Sequence, residues 1–372
     1  MKTQLKKLSA AGALSLGLAL SAQAATIDLT GVSYVTYGDG NSYSLPISAY
    51  INNQINGGGV GPGSPFYVHS SVGHIQNLIV VATGAGGVPV NNNFPGMDNA
   101  YPTPNSSGIP FFSTGITTDP GTGQPVNNAL PGFTGDGANT WDTTLGALQT
   151  FLGSDSLVFF FNNNQINSGA ATNQNLAAWA QITLSGPSGL LGTWDFTNTN
   201  SPYALVTQGG GGVFNGNPTA YTSSGAGPIA GTNAATDYVL SGGAICVHTT
   251  TFVPVPCGSA GASGPINHNL GADQAAYAIV FPELNAALNT LFALSSLTGY
   301  AMSIDLRMGC DPNTAAGSCT GRSLNNGYEQ LFIGTAAGPR RPPVQVPEPA
   351  TIALMGLGLL GVVWLRGRRT AK

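Results

Sequence analysis

Apolar residues in this chain fall into short runs, alternating or continuous, bounded by Gly, Pro, Asn and Ser. That is the pattern of short β-strands. It predicts strands at Thr26–Tyr37, Phe66–Ser70, Ile75–Ala82, Leu157–Phe161, Ala177–Leu184, Tyr203–Val206, Ile245–Val255, Tyr277–Phe281, Tyr300–Arg307 and Tyr328–Ile333. Thr183-Leu-Ser-Gly-Pro-Ser-Gly189, lying ahead of Gly192-Thr-Trp-Asp-Phe196, reads as a hairpin turn. Two stretches switch to a helical period. Trp141–Leu152 places Leu145, Leu148, Phe151 and Leu152 on one stripe and stops at Gly153. Pro282–Thr298 opens on Pro then Glu, carries Leu284, Leu288, Leu291 and Leu294, and stops at Gly299. Long Gly/Pro/Asn/Thr loops fill 84–139 and 208–235, and no fixed-period repeat stands out. The expectation is a mainly β fold: an antiparallel β-sandwich-like body with long Gly/Asn-rich loops and one or two helices, two subdomains being the alternative.

The two ends follow a different pattern. Basic Met1–Lys7 leads into apolar Leu8–Leu20 and then Ala22-Gln23-Ala24, the three parts of a signal peptide with cleavage ahead of Ala25. At the other end a Pro-rich linker is followed by the uncharged run Ala350–Leu365 and then Arg366, Arg368 and Arg369. Each Pro fixes φ and keeps the linker extended. The 16 uncharged residues span about 24 Å as a helix, short of a bilayer core of about 30 Å. Gly356, Gly358 and Gly361 weaken that helix further. The predicted organisation is a signal helix over 1–24, an exported body over 25–338, a linker over 339–349, and a single transmembrane helix with basic tail over 350–372.

Charge sharpens this division. Only 7% of the 372 residues are charged, where a quarter is usual. The net charge of −4 hides two basic ends and an acidic body. Within the body Arg307 and Arg322 stand alone against fourteen carboxylates, with no Lys at all. Such a body repels phosphate backbones, which argues against nucleic acid as a partner. Basic ends around an acidic centre suit a translocated domain.

Val346-Pro347-Glu348-Pro349, the helix Ala350–Leu365 and the Arg366, Arg368, Arg369 cluster together resemble the PEP-CTERM sorting signal of Gram-negative bacteria. The resemblance implies passage through the Sec translocon, removal of the leader by signal peptidase, and recognition of the tail by exosortase, a membrane protease-transpeptidase. The cut would fall near Pro-Glu-Pro, releasing a transiently anchored body to the cell surface or the polysaccharide matrix. Leu157–Gln165 with Asn175–Leu184, and Met302–Cys310 with Leu324–Ile333, also resemble recurring pieces of such surface proteins.

Candidate chemistry in the body is sparse. Four cysteines, Cys246, Cys257, Cys310 and Cys319, form an even set in an exported chain, so disulfides are expected. Three pairings are possible. Local pairing of Cys246 with Cys257 and of Cys310 with Cys319 is favoured, because the second spans turn residues throughout. Closing a loop of about ten residues contributes roughly 2.5–3 kcal/mol. His69 and His74 lack the spacing and the Glu of a helical zinc motif, and His248 and His268 belong to no motif. No G-x-S-x-G elbow or phosphate-binding loop is present, so no catalytic residue and no cofactor is predicted. Gly38-Asp39-Gly40-Asn41 and Gly135–Asp142 offer oxygen ligands that suit a structural calcium ion. The reading is a surface or matrix protein, structural, adhesive or associated with exopolysaccharide and biofilm. The alternatives are an exported hydrolase with dispersed catalytic residues and an envelope ligand- or metal-binding protein.

Overall fold

The computed structural model describes residues 26–71, 78–84, 91, 94–103, 111–114, 140–164, 178–197, 213–215, 244–252, 254–255, 258–271, 273–309 and 329–336. Along these the strands are β1 Thr26–Ile27, β2 Tyr34–Tyr37, β3 Gly40–Ser44, β4 Ile79–Thr83, β5 Tyr101–Pro102, β6 Phe111–Ser113, β7 Trp141–Thr144, β8 Ser156–Asn162, β9 Ala178–Gly186 and β10 Gly189–Thr197. They continue as β11 Val213–Asn215, β12 Ala244–Val247, β13 Pro254–Val255, β14 Ile266–Asn267, β15 Tyr277–Val280, β16 Ala301–Gly309 and β17 Gln330–Ala336. Three helices are interspersed among the described residues, α1 Leu45–Asn56, α2 Leu145–Leu152 and α3 Pro282–Leu291.

A nine-stranded sheet runs β11-β2-β3-β15-β8-β17-β4-β5, with β1 also against β17. A five-stranded sheet runs β10-β9-β16-β6, and β7 shares the β16 edge with β6. A third, small sheet is β13-β12-β14. The large sheet is mixed: β1–β17 and β4–β5 are parallel, where antiparallel pairing throughout is the expectation. The long connection from Thr83 to Tyr101 lets the chain return in the same direction, which a hairpin forbids.

The two larger sheets pack face to face. Leu157, Phe159 and Phe161 of β8 share one cluster with Ala178, Ala180 and Ile182 of β9 and Ile304 and Leu306 of β16. The alternate residues Val158 and Phe160 of β8, with Phe332 of β17, join Val80, Tyr43, Val68 and Ile27 in a second cluster on the opposite face. The run Leu-Val-Phe-Phe-Phe is therefore continuous because the sheet is buried on both sides.

Each helix starts where a strand stops. Ser44 Oγ accepts from the Ile47 N–H and Thr144 Oγ1 from the Ala147 N–H, so both residues cap a helix. Helix α1 is absent from the sequence expectation, since Asn52, Asn53, Gln54 and Asn56 dilute its apolar stripe; its signals were the Ser44 cap and Pro46 in the first turn. Trp141–Thr144, expected as helix, is strand, because those residues pair with Ala301–Ile304. Helix α3 ends at Leu291, short of the expected Thr298. The expected strand Thr26–Tyr37 breaks where Asp28 Oδ1 accepts from the Thr30 N–H. Ile245–Val255 folds back at Phe252, whose φ is 55°. Phe66–Ser70 contributes one bridge, His69 to Gln274. The hairpin turn falls at Pro187-Ser188, within the expected segment. Tyr203–Val206 and both terminal helices lie outside the described residues, among which no helix is long and apolar enough to cross a membrane.

Two asparagines complete the sheet where no strand is available. Asn91 accepts from the Val80 N–H at 2.8 Å and donates to the Val80 and Asp98 carbonyls. Asn285 of α3 accepts from the Leu157 N–H and donates to its carbonyl. A carboxamide carries the same donor and acceptor as a peptide group, so each stands in for a neighbouring strand. Asn91→Ala is expected to cost about 3 kcal/mol and Asn285→Ala about 2, since three and two buried bonds are lost. Urea-unfolding midpoints of the two variants check both the size and the order.

Candidate functional site

The polar residues that break the apolar pattern gather where β8 ends and β17 begins. Register pairs Asn162 with Gln330, so the next pair outward is Asn163 with Glu329. Alternation assigns Asn162 and Gln330 to the outer face and Asn163 and Glu329 to the face that carries Phe161 and Leu331. The outer pair is bonded through its amide nitrogens, although Asn162 Oδ1 has no partner. Asn162 Nδ2 donates to Ser70 Oγ and to the Gly271 carbonyl, and Gln330 Nε2 donates to Thr83 Oγ1 at 3.1 Å. The inner pair is not. Glu329 and Asn163 are both 0% exposed, yet neither Glu329 oxygen nor either polar atom of Asn163 has a hydrogen-bond partner. The Glu329 backbone carbonyl accepts from Thr103 Oγ1. Burial pushes the Glu329 carboxyl up to about 8, because a charge there loses its water, and its own backbone N–H offsets only part of that loss. Inward from the pair, a small apolar cavity between the sheets is lined by Phe161, Leu331, Ala178, Ala180 and Met308 among others.

Other polar groups are committed to holding elements together. Ser44 Oγ lies 2.6 Å from His268 Nε2. His268 Nδ1 faces the Ile266 carbonyl at 3.1 Å, which can only accept, so Nδ1 donates and Nε2 accepts the Ser44 hydroxyl proton. This serine–histidine pair was invisible in the sequence, with 224 positions between its members. Both residues are 0% exposed and the serine also caps α1. In this sealed position the pair ties α1 to the segment after β14. Asp98 and Asp142 are buried beside each other, Asp98 Oδ2 accepting from the Asp142 N–H and the Thr140 hydroxyl donating to Asp142. Asp305 pairs with Arg307 at 2.7 Å on the β16 surface.

Of the expected calcium segments, Gly38–Asn41 forms the β2–β3 turn. Asp39 Oδ2 accepts from the Asp195 N–H, and Asn41 Oδ1 accepts from Thr36. The second segment is described only over Thr140–Asp142. His69 meets the edge of Tyr67 and His248 accepts from the Thr250 and Thr251 N–H groups; His74 lies outside the described residues. Cys246 is buried and is not a free thiol. Cys257, Cys310 and Cys319 fall outside the described residues, among which no complete disulfide is seen. The cleavage residues Ala22, Ala24 and Ala25, the motif Val346–Pro349, and Arg366, Arg368 and Arg369 are likewise outside them.

Residues 26–307 match a family described as a domain of unknown function, DUF8239. The chain belongs to the DUF8239 family. Residues 345–369 match the PEP-CTERM protein-sorting motif. That motif marks the DUF8239 chain as an exported protein, transiently anchored at the membrane and sorted by exosortase to the cell surface. No curated protein and no solved structure matches the chain.

The family match stops at Arg307, but β17 lies between β8 and β4 in the large sheet and pairs along seven residues with β8. The DUF8239 folding unit therefore extends to Ala336. A chain ending at Gly338 is expected to fold, and one ending at Gly309 is expected to fail, since β8 and β4 would lose the strand that joins them; circular dichroism and resistance to proteolysis distinguish the two. Glu329 makes a second prediction. Its carboxyl is ordinarily near 4.5 and is raised to about 8 on folding, so folding takes up a proton between those values. Its contribution to stability is full below about 4.5 and lost as pH rises through 8. In metal-free buffer, urea midpoints of the wild type are expected to fall across that window relative to those of Glu329→Gln.

Proposed function

We propose that the chain is a structural or adhesive component of the surface or extracellular matrix of a Gram-negative bacterium, associated with exopolysaccharide and biofilm. The observation that carries this reading is the PEP-CTERM sorting motif at 345–369. In this reading the Sec translocon exports the chain, signal peptidase cuts after Ala24, and exosortase acts near Pro347-Glu348-Pro349. The architecture is compatible with both cuts. β1 begins at Thr26 and β17 ends at Ala336, so every described strand survives processing. The two ends also lie side by side, Thr26 beside Thr335 and Ile27 beside Ala336. Both tethers would thus leave from one place in the large sheet, where β1 lies against the end of β17, and neither cut would disturb the core.

A load-carrying surface role draws support from the two-sided burial of the large sheet and from the absence of Lys in a weakly charged body. Such a surface offers Asn, Thr and Gly hydrogen-bonding groups to a hydrated polymer. Intact mass of the protein recovered from cell envelopes and from medium of the native host tests the reading. The expected species begins near Ala25 and ends near Pro349, with any added mass marking what replaces the tail. A dominant species retaining Ala350–Lys372 overturns it.

A further inference from the structure

We infer that Glu329 and Asn163 form the protein side of a binding site for a hard divalent cation of the calcium class. The inference starts from an accounting of partners. A carboxyl group and a carboxamide sit opposite each other at the end of two paired strands, both 0% exposed. All four of their polar side-chain atoms are without a hydrogen-bond partner. Buried polar groups are almost always satisfied, and an unpaired one costs about 1–3 kcal/mol, more when it is charged. Elsewhere in this sheet an unpaired buried atom is a single one on its residue, as at Ser42 Oγ and Asn162 Oδ1, whereas here four are gathered on two facing residues.

What is missing is positive charge. Three of the four atoms can be oxygens that accept: both carboxylate oxygens and the amide Oδ1. The body has no Lys, and its two bases are Arg307 and Arg322. Arg307 is engaged bidentately by Asp305, through Nε at 3.0 Å and a terminal nitrogen at 2.7 Å. The chain thus has almost no cation of its own to place in its interior, and the counter-charge comes from outside. Carboxylate and amide oxygens are hard ligands and suit an ion of the calcium or magnesium type rather than a soft metal. An incomplete protein set, completed by water, matches the flexible coordination of Ca²⁺ better than the strict octahedron of Mg²⁺. The acidic body also draws cations toward it in the compartment to which the sorting motif directs the protein.

The test uses the mature protein purified from its host and stripped with a chelator, with CaCl₂ as the probe, followed by calorimetric titration and by the urea midpoint. One Ca²⁺ per chain is expected, with a midpoint that rises with its concentration. Glu329→Gln keeps the shape and removes the charge; it is expected to weaken Ca²⁺ binding about tenfold or more while remaining folded without metal. Asn163→Asp adds a second carboxylate. It is expected to lower stability in chelator and to tighten Ca²⁺ binding, so a failure of the first variant to fold still leaves a measurement. Absence of binding by folded wild type at millimolar Ca²⁺ overturns the inference. Undiminished binding by folded Glu329→Gln also overturns it, placing the ion elsewhere, as does an Asn163→Asp variant whose affinity is unchanged.

Discussion

A sheet covered on both faces has no water to fall back on, and the rest of this structure depends on that constraint. Every N–H and C=O of β8, β15 and β17 must find a partner inside the protein, because an unpaired group there costs more than a typical bond contributes. Neighbouring strands meet most of the demand. Where a neighbour is too short, as β5 is beside β4, a side chain takes its place, and Asn91 does for Val80 what a third strand would do. Asn285 does the same for Leu157 from a helix. These carboxamides are structural residues, although a scan for polar residues in an apolar segment would flag them as functional.

The same constraint makes the Glu329–Asn163 pair stand out. One step inward, Asn162 and Gln330 are bonded to Ser70, Gly271 and Thr83, on the outer face of the same two strands. The change of face separates side chains bonded through their amide nitrogens from side chains with no hydrogen bond. The Ser44–His268 pair shows the opposite outcome: residue types that serve catalysis elsewhere are here buried, mutually satisfied and used to fasten a helix cap. Chemistry cannot be assigned from residue type without knowing what each atom already touches.

Besides their shared apolar core, the two larger sheets meet in a tight polar contact. Gly38, at φ 60°, lies where a Cβ would fall on the Asp195 carbonyl oxygen. The Asp39 N–H donates to that oxygen, and its carboxylate receives the Asp195 N–H. The Gly-Asp-Gly turn thus clasps the β10 edge to the β2–β3 hairpin. In the sequence the same residues read as a plain turn or as cation ligands, because Asp and Gly serve both purposes and the choice depends on a strand 156 positions away.

What the sequence determined by itself was whatever depends on neighbours along the chain. Apolar runs and turn residues located β4, β8, β9, β15 and β16; Pro282 and the leucine stripe located α3; and the sorting motif with its basic tail is a contiguous signal along the chain. Strand type, helix start and pairing partner are decided by contacts across the fold. Trp141–Thr144 is strand only because β16 offers an edge, and α1 is helix although its stripe is weak, because Ser44 caps it and its first turn is buried. Two parallel pairs appear because connections outside any hairpin permit them. The candidate site was the least legible part. Glu329 and Asn163 carry no motif and are 166 positions apart in the sequence. They meet because β8 and β17 are hydrogen-bonded neighbours in a register that places both on the inner face, and only tertiary structure fixes that register.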